Sequence, residues 1–239
     1  NAYKERQMRR RIESLIKKNK FNDYEPFVQA LKKDKVLFDE FVAYLTINVS
    51  EFYRNPEQWV ILEKEVIPYL VEKFGSRLKI WSAACSTGDE PYSLVMLLSR
   101  FMPLSQIRVI ATDIDKQILE KAKMGIYNPK SLEGLPQEFV HKYFTKITNN
   151  SYKINDEVKK CVEFRQHDLL KDPYISDCDL IVCRNVLIYF TEEAKNDIFM
   201  KFGKTLRKQG ILFLGSTEQI LQPQQYGLKL KKSFFYTKE

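Results

Sequence analysis

The chain has 239 residues, 44% of them apolar, and carries 39 Lys/Arg against 31 Asp/Glu for a net charge of +8. That composition supports one large α/β domain or a catalytic domain with an appendage, and no apolar run approaches the roughly 20 residues that cross a bilayer. No signal-peptide pattern is present, and Cys85, Cys161, Cys178, Cys183, His141 and His167 fall in no metal-ligand spacing, so membrane insertion, a disulfide framework and a structural metal are not expected. The charge is uneven: residues 1–35 hold eleven Lys/Arg and five acids. A concentrated basic segment points to an acidic partner.

Residues 3–20 read as an amphipathic helix, with Met8, Ile12, Leu15 and Ile16 on one stripe and Arg6, Arg10, Lys17 and Lys20 largely off it. Two short helices are expected near 23–33 and 36–45, and Pro56 marks a boundary after a small helical unit at 1–57. Residues 58–74 carry another helical stripe, which Pro68 should bend or interrupt. The period then changes. Leu78–Trp81, Ile107–Ala111, Asp179–Cys183 and Gly210–Leu214 read as strands, alternating with helices at Glu90–Met102, Ile114–Met124 and Thr191–Leu206. This is the spacing of βαβ units, so a mostly parallel, doubly wound sheet is expected over 58–239. Lys231–Thr237 is expected as one antiparallel edge strand, and 126–166 as a hairpin-rich insertion containing Tyr152–Ile154 and Val162–Phe164.

Three segments carry chemistry. In the run from Trp81 to Ser93, a strand gives way to small residues (Ala83, Ala84, Cys85, Ser86) and then a helix. Small residues let a ligand approach the backbone, and a helix N-terminus offers free N–H groups. With Gly88 alone the run is neither a dinucleotide fingerprint nor a phosphate loop, which favours an adenosine cofactor without phosphates. The next strand ends at Thr112-Asp113-Ile114-Asp115. An acid there is placed to accept bonds from ribose hydroxyls. Asp113 comes first off the strand, while Asp115 can instead cap the following helix. Finally, Arg184, Asn185 and Tyr189 lie beyond the carboxyl end of a third strand, the edge at which open α/β sheets bind ligands.

Taken together, Asn48-Val-Ser-Glu-Phe-Tyr-Arg54, Ala83-Ala-Cys-Ser-Thr-Gly-Asp-Glu-Pro-Tyr-Ser93, Ala111-Thr-Asp-Ile-Asp115 and Cys183-Arg-Asn-Val-Leu-Ile-Tyr-Phe190 resemble the chemotaxis-receptor methyltransferases of the CheR type, in that family's order over nearly the whole chain. The resemblance implies a seven-stranded methyltransferase-type sheet with a small N-terminal helical domain and a β-hairpin subdomain. It also implies transfer of a methyl group from S-adenosylmethionine to glutamate side chains on the helical cytoplasmic domain of chemoreceptors, leaving S-adenosylhomocysteine and a glutamate methyl ester. By the same resemblance Asn48, Ser50, Arg54, Glu90, Asp113, Asp168, Leu169, Arg184 and Asn185 contact the cofactor, and Arg54 and Tyr189 stand near the transferred methyl. Ser50 replaces the usual Thr, Asp89 the usual Glu, and Asp168 the usual Asn. Arg6, Arg9, Arg10, Lys17 and Lys20 become candidates for registering acidic receptor helices. A cytoplasmic monomer that binds no nucleic acid is the expectation. The rival readings are a methyltransferase of nucleic acid, with the basic segment on phosphates, and a non-catalytic receptor adaptor.

Overall fold

A computed structural model of the chain describes residues 2–45 and 50–239. Its first part is three helices, α1 (Glu5–Lys18), α2 (Tyr24–Lys33) and α3 (Lys35–Leu45). Asp23 caps α2, its carboxylate accepting the N–H of Tyr24. Leu15, Ile16, Phe27 and Leu37 form a separate small core, with Phe21 and Phe41 edge-on to Phe27.

The stretch after Asn55 is helical throughout: α4 (Pro56–Ile61), a π-helical turn (Leu62–Val66) and α5 (Ile67–Phe74). Pro68 therefore does not break it. What changes is the winding: the α-helical pattern is interrupted by the wider π-helical turn just before the proline, and the chain stays helical through it. Then come β1 (Ile80–Ala83), α6 (Asp89–Leu98), β2 (Val109–Asp113), α7 (Lys116–Met124) and the short β3 (Ile126–Tyr127). Asp115 caps α7 by accepting the N–H groups of Gln117 and Ile118, and Gly125 ends it at φ 67°. The remainder is α8 (Gln137–Tyr143), β4 (Phe144–Thr148), β5 (Ser151–Ile154), α9 (Asp156–Lys159), β6 (Val162–Gln166), β7 (Cys178–Cys183), α10 (Glu192–Thr205), β8 (Leu206–Leu214), β9 (Leu228–Lys232) and β10 (Phe235–Lys238).

Seven strands make one sheet in the order β6-β2-β1-β7-β8-β10-β9, parallel from β6 to β8 and antiparallel beyond. Because β1 and β7 are central and covered on both faces, their residues are buried without alternation. Two expectations need correction. Val162–Phe164 is not part of the insertion; it lies in β6, the parallel neighbour of β2, with Val109 opposite Val162 and Ala111 opposite Phe164. A short polar-looking segment at a sheet edge buries only one side, so its alternation mimics a hairpin strand. The antiparallel sheet β3-β5-β4 accordingly ends at Ile154. Nor is Lys231–Thr237 one strand: Phe234, at φ 69°, turns the chain between β9 and β10, and β10 alone pairs with β8.

The segment between the helical unit and α4 is held by its aromatics. Phe52 is fully buried, edge-on to Tyr127 and Phe144 of the small sheet, and its N–H donates to the carbonyl of Ser131. Gly134 is glycine because a Cβ there would stand 2.8 Å from the carbonyl oxygen of Phe52. Phe52→Ala should cost about 3–5 kcal/mol and lower Tm on the order of 10 °C; differential scanning calorimetry of the two proteins checks this.

Candidate functional site

All the parallel strands point their carboxyl ends at one edge, and a cavity of about 820 Å³ opens there, within the range of cofactor sites. Its floor is the turn from β1 into α6. Ala84 (φ 66°), Ser86 (φ 50°) and Gly88 (φ 88°) take left-handed backbone in alternation, a conformation that costs of order 1–3 kcal/mol at a residue with a side chain. Cross-links hold it. The N–H of Cys85 donates to the carbonyl of Thr112 at 2.8 Å, that of Ser86 to an Asp113 carboxylate oxygen at 2.8 Å, and the Tyr127 hydroxyl to the Thr87 carbonyl at 2.8 Å. At Gly88 a Cβ would meet Ala122 at 3.0 Å and Tyr127 and Tyr92 at 3.2 Å, so the single glycine serves close packing as well as its φ.

Asp113 stands at the tip of β2, bonded to the N–H groups of Ser86 and Asp115. Burial pushes its pKa up, opposed by those backbone bonds. Glu90, one residue into α6, accepts from the Ser82 hydroxyl at 2.8 Å and faces Arg184 at 3.6 Å. Burial likewise raises the Glu90 pKa, with Arg184 pulling the other way. Arg184 leaves the end of β7 with a side chain only 2% exposed. One of its nitrogens donates to the Arg54 carbonyl (2.7 Å), Asn55 Oδ1 (3.1 Å) and Gln58 Oε1 (2.9 Å). Its guanidinium carbon lies 4.8 Å from the centre of the Phe213 ring.

Ser50, Arg54, Glu90, Asp113, Asp168, Leu169, Arg184, Asn185 and Tyr189 thus border one cavity. Asn48 lies outside the described residues. Ser50 bonds to the buried Asp89 carboxylate. Asp168 accepts the N–H of Leu170 at 2.9 Å. Tyr189 closes a 3₁₀ turn (Leu187–Tyr189), and burial raises its pKa. The five basic candidates do not form one patch. Arg6, Arg10 and Lys17 are exposed at the spacing of one helix face. Arg9 turns to the cavity and pairs with Glu5 at 2.9 Å, and Lys20 sits beyond the helix end.

Sequence reasoning missed a strap. Ala2–Lys4 runs antiparallel to Tyr189–Thr191: the N–H of Lys4 donates to the Tyr189 carbonyl at 3.0 Å, and that of Thr191 to the Ala2 carbonyl at 2.9 Å. Tyr3 packs 5.0 Å from the Phe190 ring and reaches the cavity wall. No local pattern announces a bridge between segments so distant in sequence. His167, weighed in the sequence only as a metal ligand, stands edge-on to Trp81 at 5.3 Å and borders the cavity, and its Nδ1 has no partner among the described residues.

Comparison with known families decides what this edge belongs to. Residues 48–234 match the family model described as "CheR methyltransferase, SAM binding domain", and residues 1–46 match "CheR methyltransferase, all-alpha domain". The chain belongs to the CheR methyltransferase family. It is 47% identical over 236 residues to the "Chemotaxis protein methyltransferase" of Listeria monocytogenes, covering 99% of this chain and 90% of that one. The protein of the same name from Borreliella burgdorferi is 32% identical over 222 residues, with 88% of this chain and 78% of that one covered. "Chemotaxis protein methyltransferase 1" of Pseudomonas aeruginosa is 34% identical over 221 residues, covering 88% and 80%. The chain is therefore an S-adenosylmethionine-dependent methyltransferase of chemotaxis.

The cavity suits that cofactor on its own chemistry. Carboxylates of Glu90 and Asp113 face a cavity that would hold a cationic, hydroxyl-bearing ligand. The β1–α6 turn brings no lysine or arginine to hold a phosphate. Ser86 Oγ and His167 Nδ1 are buried with no partner among the described residues, which leaves polar capacity at the wall.

The Arg184–Glu90 pair is the part most sensitive to amputation. Arg184→Met strands the Glu90 carboxylate and should cost about 3–5 kcal/mol in urea unfolding, with part recovered when Glu90→Gln is added; additive losses in the double variant would show that the two charges do not couple.

Proposed function

We propose that the enzyme methylates glutamate side chains on the cytoplasmic helices of chemoreceptors, acting as a cytoplasmic monomer of two units, 1–57 and 58–239. The observation that carries this reading is the convergence of Arg54 and Tyr189 on the same cavity as Glu90 and Asp113. S-adenosylmethionine supplies an electrophilic methyl on a sulfonium that leaves as a neutral thioether. A glutamate carboxylate is already ionised at pH 7, so the site needs no general base. Its oxygen forms the new C–O bond as the S–C bond breaks, and no proton moves.

The task left to the protein is placement. Glu90 and Asp113 hold the cofactor's amine and ribose ends, with Ser50, Asn48, Asp168, Leu169, Arg184 and Asn185 as further contacts. Arg54 forks onto the incoming carboxylate, and the Tyr189 hydroxyl donates one bond to it. Positioning of this kind can supply roughly 7–11 kcal/mol. Anion and sulfonium neutralise each other at the transition state, which a dry site favours. On the substrate side, exposed Arg6, Arg10, Lys17 and Lys20 steer an acidic receptor helix toward the opening, where Arg9 and Glu5 stand.

Incubation with labelled S-adenosylmethionine and a receptor fragment should give label released as methanol by mild base, the signature of a carboxyl methyl ester. Label that survives base, or that appears on RNA instead, would refute the reading. A second test uses Tyr189. Because burial holds its pKa above the ordinary value, the phenol stays protonated as pH rises through 9. Tyr189→Phe should therefore lower kcat about tenfold, the scale of one lost hydrogen bond, without altering the shape of the kcat/KM profile between pH 7 and about 9. A basic limb that disappears in the variant would make Tyr189 a proton-transfer group and sink the positioning role.

A further inference from the structure

Glu218 sits beyond the end of β8, 5% exposed, and does not border the cavity. Its carboxylate is nonetheless committed to the loop that does. One oxygen accepts the N–H of Asn185 at 2.7 Å and of Gly215 at 3.0 Å; the other accepts the N–H of Leu187 at 2.6 Å. Two backbone donors of one short loop, Asn185 and Leu187, therefore converge on one buried acid. Such convergence requires an unusual backbone, and Asn185 takes it at φ 60°. Gly215 makes the approach possible. A Cβ there would stand 2.5 Å from the Glu218 oxygen and 2.9 Å from the Asn185 nitrogen.

A buried carboxylate is costly unless its lone pairs are filled. Here they are filled by backbone alone, and all but the Gly215 donor belong to the segment between Arg184 and Tyr189. We propose that Glu218 is a positioning residue of the methyl-transfer site, clamping Asn185–Leu187 so that Arg184, Asn185 and Tyr189 stand preset around the cavity, with Gly215 as the residue that admits the clamp. The inference rests on the proposed roles of Arg184, Asn185 and Tyr189. Only an acid offers two acceptor oxygens; a glutamine turns an N–H₂ toward a backbone N–H, and an aspartate falls one methylene short.

The test measures S-adenosylhomocysteine binding by calorimetry, at a temperature where each variant is fully folded. Glu218→Gln and Gly215→Ala should each raise Kd roughly ten- to hundredfold, the scale of charge-assisted hydrogen bonds lost at one remove. A double-mutant cycle separates positioning from plain stability: in an Asn185→Ala background the cost of Glu218→Gln should shrink, because the clamp acts partly through that residue. Kd within about threefold of the parent in both folded variants, or costs that simply add where Asn185→Ala alone weakens binding, would overturn the clamp. So would loss of folding in both, which would make Glu218 a fold-stabilising group. If Asn185→Ala weakens binding and Glu218→Gln does not, the clamp fails and the site reading stands. If Glu218→Gln weakens binding and Asn185→Ala does not, the clamp holds through Arg184 and Tyr189, and the role given to Asn185 is what fails.

Discussion

A guanidinium taken out of water is costly unless other groups replace its hydration, and Arg184, whose Nε has no hydrogen-bond partner among the described residues, imposes that demand on the whole ligand edge. It leaves the end of the central strand β7 and draws its partners from α6 (Glu90), from the Arg54 carbonyl and Asn55, and from Gln58 in α4. No single secondary element can meet that demand. The linker after the helical unit is therefore folded back across the sheet edge, where Trp59 also donates to the Arg54 carbonyl at 3.0 Å. The residue proposed to orient the acceptor, Arg54, is thus held at its main-chain carbonyl by both Trp59 and Arg184. Burial lowers the pKa of Arg184 while Glu90 pulls it back. The opposed directions on the two partners express one fact: each charge is tolerable only beside the other.

The second constraint is strain in the β1–α6 turn. Left-handed Ala84, Ser86 and Gly88 turn successive amides in directions that an ordinary strand-to-helix turn does not reach. Asp113 holds one of those amides already. The acid proposed to meet the ribose therefore has a structural duty first: one of its oxygens accepts the N–H of Ser86 and the other that of Asp115. Tyr127 ties the same turn to the three-stranded sheet, so the subdomain and the cofactor floor share a hydrogen bond and do not merely pack side by side.

What was legible in the sequence was what repeats locally. The strand-to-helix turn with its small residues, the acid at the tip of β2, and Arg184 beyond β7 each carry their signal within a dozen residues, because strand, turn and helix are adjacent in the chain. Asp115 read equally well as a cap, and the structure gives it that role. Legibility failed where pairing is non-local. β6 looked like half of a hairpin until its partner turned out to be β2, and the last strand concealed a turn at Ser233-Phe234 without glycine or proline to mark it. The Glu218 carboxylate illustrates the same limit. An acid after Gly215-Ser216-Thr217 is unremarkable in sequence; its meaning lies in two amides some thirty residues upstream.

The strap between Ala2–Lys4 and Tyr189–Thr191 also orders the events of folding. A contact between such distant segments closes a very long loop, and the entropy of that closure is recovered only once the sheet has brought β7 into place. The three-helix unit, whose contacts are local, can form early; the strap must come late. Until it does, the chain presents a finished basic helix beside an unfinished wall around Tyr189. The proposed recognition surface and the proposed reaction site thus mature on different clocks, and two backbone hydrogen bonds just ahead of α1 are what finally make them one object.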